Sequence, residues 1–196
     1  MPDIQIKNLG ISFNGKRILT DVSMSIPHGE TTCIMAPSGS GKTTLLNLLM
    51  GIYKPDNGSI SGLENAKIAA VFQDDRLIES MDPVSNIHLV CRNQSRNTII
   101  EEMKSIGLTD CFDQPVCELS GGMRRRVALL RAILSDWNVL LLDEPFQGLD
   151  DTSKKATVNK VLQWCHGKTV LMVTHDPDEA KLMQAQIISV KQGFKQ

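Results

Sequence analysis

Residues 33–49 read CIMAPSGSGKTTLLNLL: an apolar triplet, a glycine- and serine-rich loop closing on Lys42 and Thr43, then a run of leucines. A strand, such a loop and a helix in that order let successive backbone N–H groups cradle phosphate oxygens while the helix dipole points at them. Ala36, Pro37, Ser38, Gly39, Ser40, Gly41, Lys42, Thr43 and Thr44 are the candidate phosphate-binding residues. Lys42 places a cation on the terminal phosphates, and Thr43 offers its hydroxyl to Mg²⁺. Gly39 and Gly41 supply backbone angles that a Cβ disfavours. The strict pattern has glycine where this chain has Ala36. Alanine fits there if φ is negative, whereas a methyl aimed at the phosphates would obstruct them. Outside its context the stretch also reads as a flexible turn before a buried helix.

A second segment completes the picture. VLLLDEP, residues 139–145, is a buried strand that ends on two acids and a proline. Ligands of open α/β sheets bind at the carboxyl ends of strands, where Asp143 stands. Its carboxylate suits Mg²⁺, and Glu144, pointing differently, suits a general base for an attacking water. Taken alone, the pair also reads as two solvated acids at a strand end.

Around these motifs the pattern alternates between strand and helix. DIQIKN and ILTDVSMSI carry apolar residues at every second position, as half-buried antiparallel strands do. AKIAAVFQ, KTVLMVTH and AQIISV are further strands, and KPDNGSISG is turn-rich. Helices are predicted over 41–50, 84–90, 98–106, 120–134, 152–165 and 176–183. In the fourth, Met123, Val127, Leu130 and Leu134 form a narrow apolar stripe. Arg124, Arg125, Arg126 and Arg131 lie off that stripe and read as a solvated face rather than a nucleic-acid patch. The expected fold is a single α/β domain over 1–196. Its P-loop NTPase core, with an N-terminal antiparallel β-subdomain, takes in 1–73 and 136–196, and a helical subdomain is inserted at 74–135.

Composition narrows the class. With 21 Lys+Arg against 22 Asp+Glu in 196 residues, nothing global calls for nucleic acid or an anionic membrane. The longest apolar run falls far short of the ~20 residues that a bilayer span needs. MPDIQIKNLG lacks the charged start and apolar stretch of a signal peptide. Five scattered cysteines without a CxxC pair read as reduced thiols, mostly in the core, and suggest no metal site.

Residues 119–123, LSGGM, make a specific resemblance visible. The chain resembles the nucleotide-binding subunit of an ABC transporter, whose signature loop L-S-G-G-Q is matched by Leu119, Ser120, Gly121, Gly122 and Met123. The family's Q-loop glutamine is matched by Gln73 in VFQD, its D-loop acid by Asp150 in FQGLD, and its switch histidine by His175 in VTHD. Phe13, in ISFNGK, fits the aromatic residue that stacks on adenine. Each motif alone is weak, but the ordered set spans essentially the whole chain. Ser120 also reads as an ordinary helix N-cap, and His175 and Gln73 as polar strand ends. Ala36 and Met123 depart from the family pattern, and Met123 falls on the apolar stripe.

The resemblance implies an ATPase using ATP and Mg²⁺. Lys42, Glu144 and His175 act on the γ-phosphate, and Thr43, Gln73 and Asp143 hold the metal. The signature residues cap a nucleotide bound by another subunit, so two chains enclose two ATP molecules head to tail, with Asp150 at the shared interface. Implied partners are a second ATP-binding subunit, identical or not, integral membrane permease subunits and a solute-binding protein, with no nucleic acid. The implied location is cytoplasmic, peripheral on the inner face of the cell membrane. VFQDDRLIESMDPVSNI, LSGGMRRRVALLRAIL and LLLDEPFQGLD are most similar to the nitrate, sulfonate and taurine importers. The short tail after the last strand predicts no C-terminal regulatory domain. Two rivals stand beside this reading. A GTPase-type switch needs a guanine-reading acid after N-K-x, where NKVL has Leu162. A non-transport ABC ATPase of DNA repair or translation needs linked cassettes or a long coiled coil, and neither is visible.

Overall fold

The computed structural model describes residues 1–37 and 39–189. Strands β1 (Ile4–Phe13), β2 (Lys16–Ile26) and β4 (Asn57–Ser61) form an antiparallel sheet in the order β2-β1-β4. Strands β3 (Thr31–Met35), β5 (Ile68–Val71), β6 (Val139–Asp143), β7 (Thr169–Thr174) and β8 (Gln186–Ser189) form a parallel sheet in the order β5-β6-β7-β3-β8. β4 falls in the stretch that reads only as turns. It carries a single half-buried apolar residue, Ile60, and its pairing with β1 supplies the order that its side chains do not signal.

β6 and β7 are buried at every position, which is why they read as unbroken apolar runs. Successive side chains still alternate between faces. Val139, Leu141, Leu171 and Val173 join one cluster with Ile4, Ile6, Leu9 and Ile11 of β1 and with Leu45, Leu46, Leu48 and Leu49. Those four leucines belong to helix α1 (Lys42–Leu49), which is therefore clamped between the two sheets. Leu140, Leu142, Val170 and Met172 face the opposite cluster.

That second cluster is covered by α2 (Pro83–His88), α3 (Arg96–Ser105), α4 (Gly121–Ile133), α5 (Asp151–Cys165) and α6 (Pro177–Leu182), with a 3-10 turn at Val116–Glu118. Asp82, Ser95, Ser120, Asp150 and Asp176 cap the N-termini of these five helices with their side chains. α4 is buried far beyond its predicted stripe, because Val127, Ala128, Leu129, Leu130, Ala132 and Ile133 are all in the core. Cys33, Cys91, Cys111 and Cys165 are buried and Cys117 is exposed, all as free thiols. No helix among the described residues is long and apolar enough to cross a membrane.

Candidate active site

The register of the parallel sheet brings four strand ends level. Met35 pairs with Thr174, Asp143 with Val173, and Val71 with Leu142. The residues that follow these ends, together with the start of α1, line an open cleft of about 680 Å³. Pro37, Gly39, Gly41, Lys42, Thr43, Thr44, Gln73, Asp143, Glu144 and His175 all face it. Ser38 lies outside the described residues.

The loop is shaped by its glycines. Gly41 has φ of 108°, and a Cβ there would sit 2.9 Å from Leu19 Cδ2 and 3.0 Å from Ile18 Cγ2. No other residue fits without displacing β2. Gly41 also leaves α1 without a side-chain cap, so the first-turn N–H groups are available to an anion. Ser40 is buried and its hydroxyl has no partner among the described residues. Ala36 is not among the non-glycine residues with positive φ, and Lys42 Nζ donates to its carbonyl at 2.5 Å and to that of Pro37 at 3.1 Å. The alanine methyl therefore costs the loop no backbone strain. Ala36→Gly is expected to change ATP affinity less than about tenfold, whereas Lys42→Ala abolishes binding. Titration with a fluorescent ATP analogue checks both, and a large gain from Ala36→Gly would show the methyl to be obstructive.

Thr43 Oγ1 donates to Asp143 Oδ2 at 2.6 Å. Asp143 is only 2% exposed, and burial pushes its carboxyl above the usual range. A buried carboxylate touching a hydroxyl, with Gln73 across the cleft, is a set of hard oxygen donors of the kind Mg²⁺ takes. No group of three or more His, Cys, Asp or Glu side chains gathers at a metal-sized site among the described residues.

Glu144 takes a positive φ of 46°, an unfavourable conformation for a residue with a Cβ, fixed by its N–H donating to Val173 O at 2.9 Å. The turn aims its carboxylate back at β7. Both carboxylate oxygens lie 3.0 Å from His175 Nδ1, and Oε1 is 3.7 Å from Lys42 Nζ. The hydrogen bond from Glu144 pushes the exposed His175 imidazole above its ordinary range. Thr174 Oγ1 lies 3.0 Å from Glu144 and 2.8 Å from the buried Glu179. Burial pushes the Glu179 carboxyl above its usual range.

The remaining candidates do not line the cleft. Ser120, Gly121, Gly122 and Met123 form the first turn of α4, where Ser120 Oγ accepts from Met123 N at 3.3 Å. Met123 packs against the core as half-buried filler. Asp150 caps α5 by accepting from Ser153 N, a bond that holds its carboxyl below the usual range. Phe13 ends β1, the central strand of the antiparallel sheet, with its ring 5.1 Å from that of Tyr53 in an edge-to-face contact. Sequence reasoning missed Tyr53, Thr174 and two cleft residues, Ile18 and Gln147. Only Thr174, beside the switch histidine, carried any signal.

One expectation is corrected. Arg125 and Arg126 are not on a solvated face; both are buried, and Arg131 bonds to the carbonyls of Asp75 and Arg76. Arg126 reaches the carbonyls of Ile106 and Gly107, and Arg125 those of Asp143, Glu144 and Pro145. Guanidinium groups tolerate burial when carbonyls saturate their N–H groups, which a helical wheel does not reveal.

A family model described as ABC transporter matches residues 19–147, from β2 through the Glu144 turn. The chain belongs to the ABC transporter family. As an ATP-binding subunit of that family it binds and hydrolyses ATP. The cassette is 35% identical to the taurine import ATP-binding protein TauB of Yersinia pestis, over 97% of this chain and 80% of that one. It is 34% identical to the bicarbonate transport ATP-binding protein CmpD of Synechococcus elongatus, over 90% and 69%. Among solved structures it superposes on a dimeric form of the bacterial ABC transporter cassette MJ0796 with a TM-score of 0.81, at 26% identity over 97% of this chain and 96% of that one. A post-hydrolysis state of the same cassette bound to ADP and Pi gives 0.82 at 27% identity, with the same coverage.

Proposed function

We propose that this cassette powers the import of a small solute, working as a pair of ATP-binding subunits beneath integral membrane permease subunits. The observation that carries this reading is the convergence of Lys42, Thr43, Asp143, Glu144 and His175 on one edge of the parallel sheet. Phe13 stacks on adenine, and residues 36–44 wrap the phosphates with Lys42 on the terminal ones. Thr43, Asp143 and the Gln73 side-chain carbonyl would hold Mg²⁺, which neutralises charge on the phosphate oxygens. Glu144 takes a proton from the attacking water, and His175 hydrogen-bonds the γ-phosphate. Ser120, Gly121, Gly122 and Met123 serve the partner's nucleotide, with Asp150 at the interface between the chains.

The names of the relatives favour an importer, and we assign it a solute-binding protein as a further partner and a cytoplasmic position on the inner face of the membrane. We assign 1–73 and 136–196 to the core with its β-subdomain, and 74–135 to a helical subdomain. The helical part exposes Ile78, Leu89 and Val90, at 43%, 44% and 44%. These fit a cytoplasmic segment of a permease, the one partner class that a family of transporters requires. A tagged chain recovered from detergent-solubilised membranes is expected to carry a multi-span membrane protein, and Leu89→Asp is expected to release it. Recovery of the wild-type chain only from the soluble fraction, free of any membrane protein, overturns the assignment.

A further inference from the structure

Arg125 sits on α4 five residues after Ser120, about 7.5 Å along the helix. It is only 4% exposed. Its guanidinium bonds fall into two sets. On one side Nε donates to Pro145 O at 3.0 Å, and Nη2 to Asp143 O at 2.5 Å and Glu144 O at 2.7 Å. On the other, Nη1 reaches Phe72 O, Gln73 O at 3.4 Å and Asp75 Oδ1 at 3.1 Å. One planar, rigid fork thus grips the two turns that carry the candidate metal and general-base residues, and it does so from the helix that starts at Ser120.

The neighbouring arginine shows that this is not general packing. Arg126, on the same turn of α4, bonds to the carbonyls of Gly122, Ile106 and Gly107, all in or beside the helical segment. Of the two, Arg125 bridges out of it. Five of its six contacts are main-chain carbonyls at residues 72–73 and 143–145, so a shift of the fork shifts the backbone from which Gln73, Asp143 and Glu144 project. A helix moves as a rigid rod over so short a span, so displacement at Ser120 arrives at Arg125 undiminished.

We propose that Arg125 is a positioning residue that couples the two nucleotide sites of a pair, carrying movement of α4 at the partner's nucleotide to the Gln73 and Asp143–Glu144 turns of its own chain. The inference rests on the shared-site reading above. Each chain then senses, through Ser120, whether its partner holds ATP, and presents its own general base accordingly.

The test compares wild type with Arg125→Met, which fills the space without donors, and Arg125→Lys, which keeps the charge but not the fork. Wild type is expected to hydrolyse ATP with a Hill coefficient above one. Arg125→Met is expected to bind ATP within about threefold of wild type and to pair on ATP addition in a Glu144→Gln background. Its kcat is expected to fall at least about tenfold with KM little changed, and its Hill coefficient to fall to one. Arg125→Lys is expected to recover part of kcat and none of the cooperativity. Retained cooperativity in either folded variant overturns the inference, as does a wild-type Hill coefficient of one. Where Arg125→Met does not fold, Arg125→Lys decides alone by the same criterion. Failure of the shared-site reading shows separately, as absence of ATP-dependent pairing in the Glu144→Gln chain with Arg125 intact.

Discussion

In a Glu144→Gln chain, ATP still binds and steady-state hydrolysis falls by roughly 10²-fold or more. The expectation follows from what the carboxylate touches. Its oxygens accept from Thr174 Oγ1 and lie 3.0 Å from His175 Nδ1, and a glutamine carbonyl accepts in the same place, so the turn keeps its shape. Only the charge and the basicity go. Removing a negative charge 3.7 Å from Lys42 Nζ takes nothing away from phosphate binding, because the lysine ammonium is held independently by the carbonyls of Ala36 and Pro37. A loss of 10² in rate corresponds to about 2.7 kcal/mol of barrier. Phosphate release and nucleotide titration on the same preparation separate the two effects. Unchanged hydrolysis rejects Glu144 as the base.

Mixing two inactive chains, Lys42→Ala and Ser120→Arg, restores ATP-dependent pairing. The phosphate loop and Ser120 belong to one chain, yet Ser120 does not line the cleft that holds Lys42. Ser120 and Gly121 leave a second, exposed helix start of the kind that binds an anion, apart from the loop that holds Lys42. In a mixed pair one site takes both lesions. The other combines the intact loop of the Ser120→Arg chain with the intact signature of the Lys42→Ala chain. Loss of the Ser120 cap to Met123 N costs α4 about 1 kcal/mol, which a helix buried over most of Arg125–Ile133 absorbs. Light scattering reads the pairing directly, and hydrolysis stays low where both sites must fire together. If every chain in the mixture stays monomeric at all ratios, with both variants folded, the shared site is wrong.

How much of this was legible depended on the kind of signal each residue carries. β6 and β7 announced themselves because strands covered on both faces fill their middles with apolar side chains. The loop at 36–44 was legible because Gly39, Gly41, Lys42 and Thr43 are each required by backbone geometry or charge at a fixed spacing. Arg125 was misplaced because patterning counts any charge as solvent-facing, while burial here depends on carbonyls 18 to 53 residues away in the chain. β4 was invisible for the converse reason, since an exposed edge strand made of Asn, Gly and Ser has no apolar rhythm. Thr174 meets Glu144, and Tyr53 meets Phe13, across long stretches of chain, and spacing does not encode such contacts.

The clamping of α1 between the two sheets has a consequence for how the molecule breathes. Leu45, Leu46, Leu48 and Leu49 are shared property: the same side chains that seat the helix on the parallel sheet hold β1 and β2 in place. Peeling the antiparallel sheet away exposes them all, and the segment that begins at Gly41 loses its seat in the same event. Local opening at the amino-terminal edge and release of a bound nucleotide are thus a single fluctuation with a single free energy. A bound nucleotide is expected to slow amide exchange across β1 and β2.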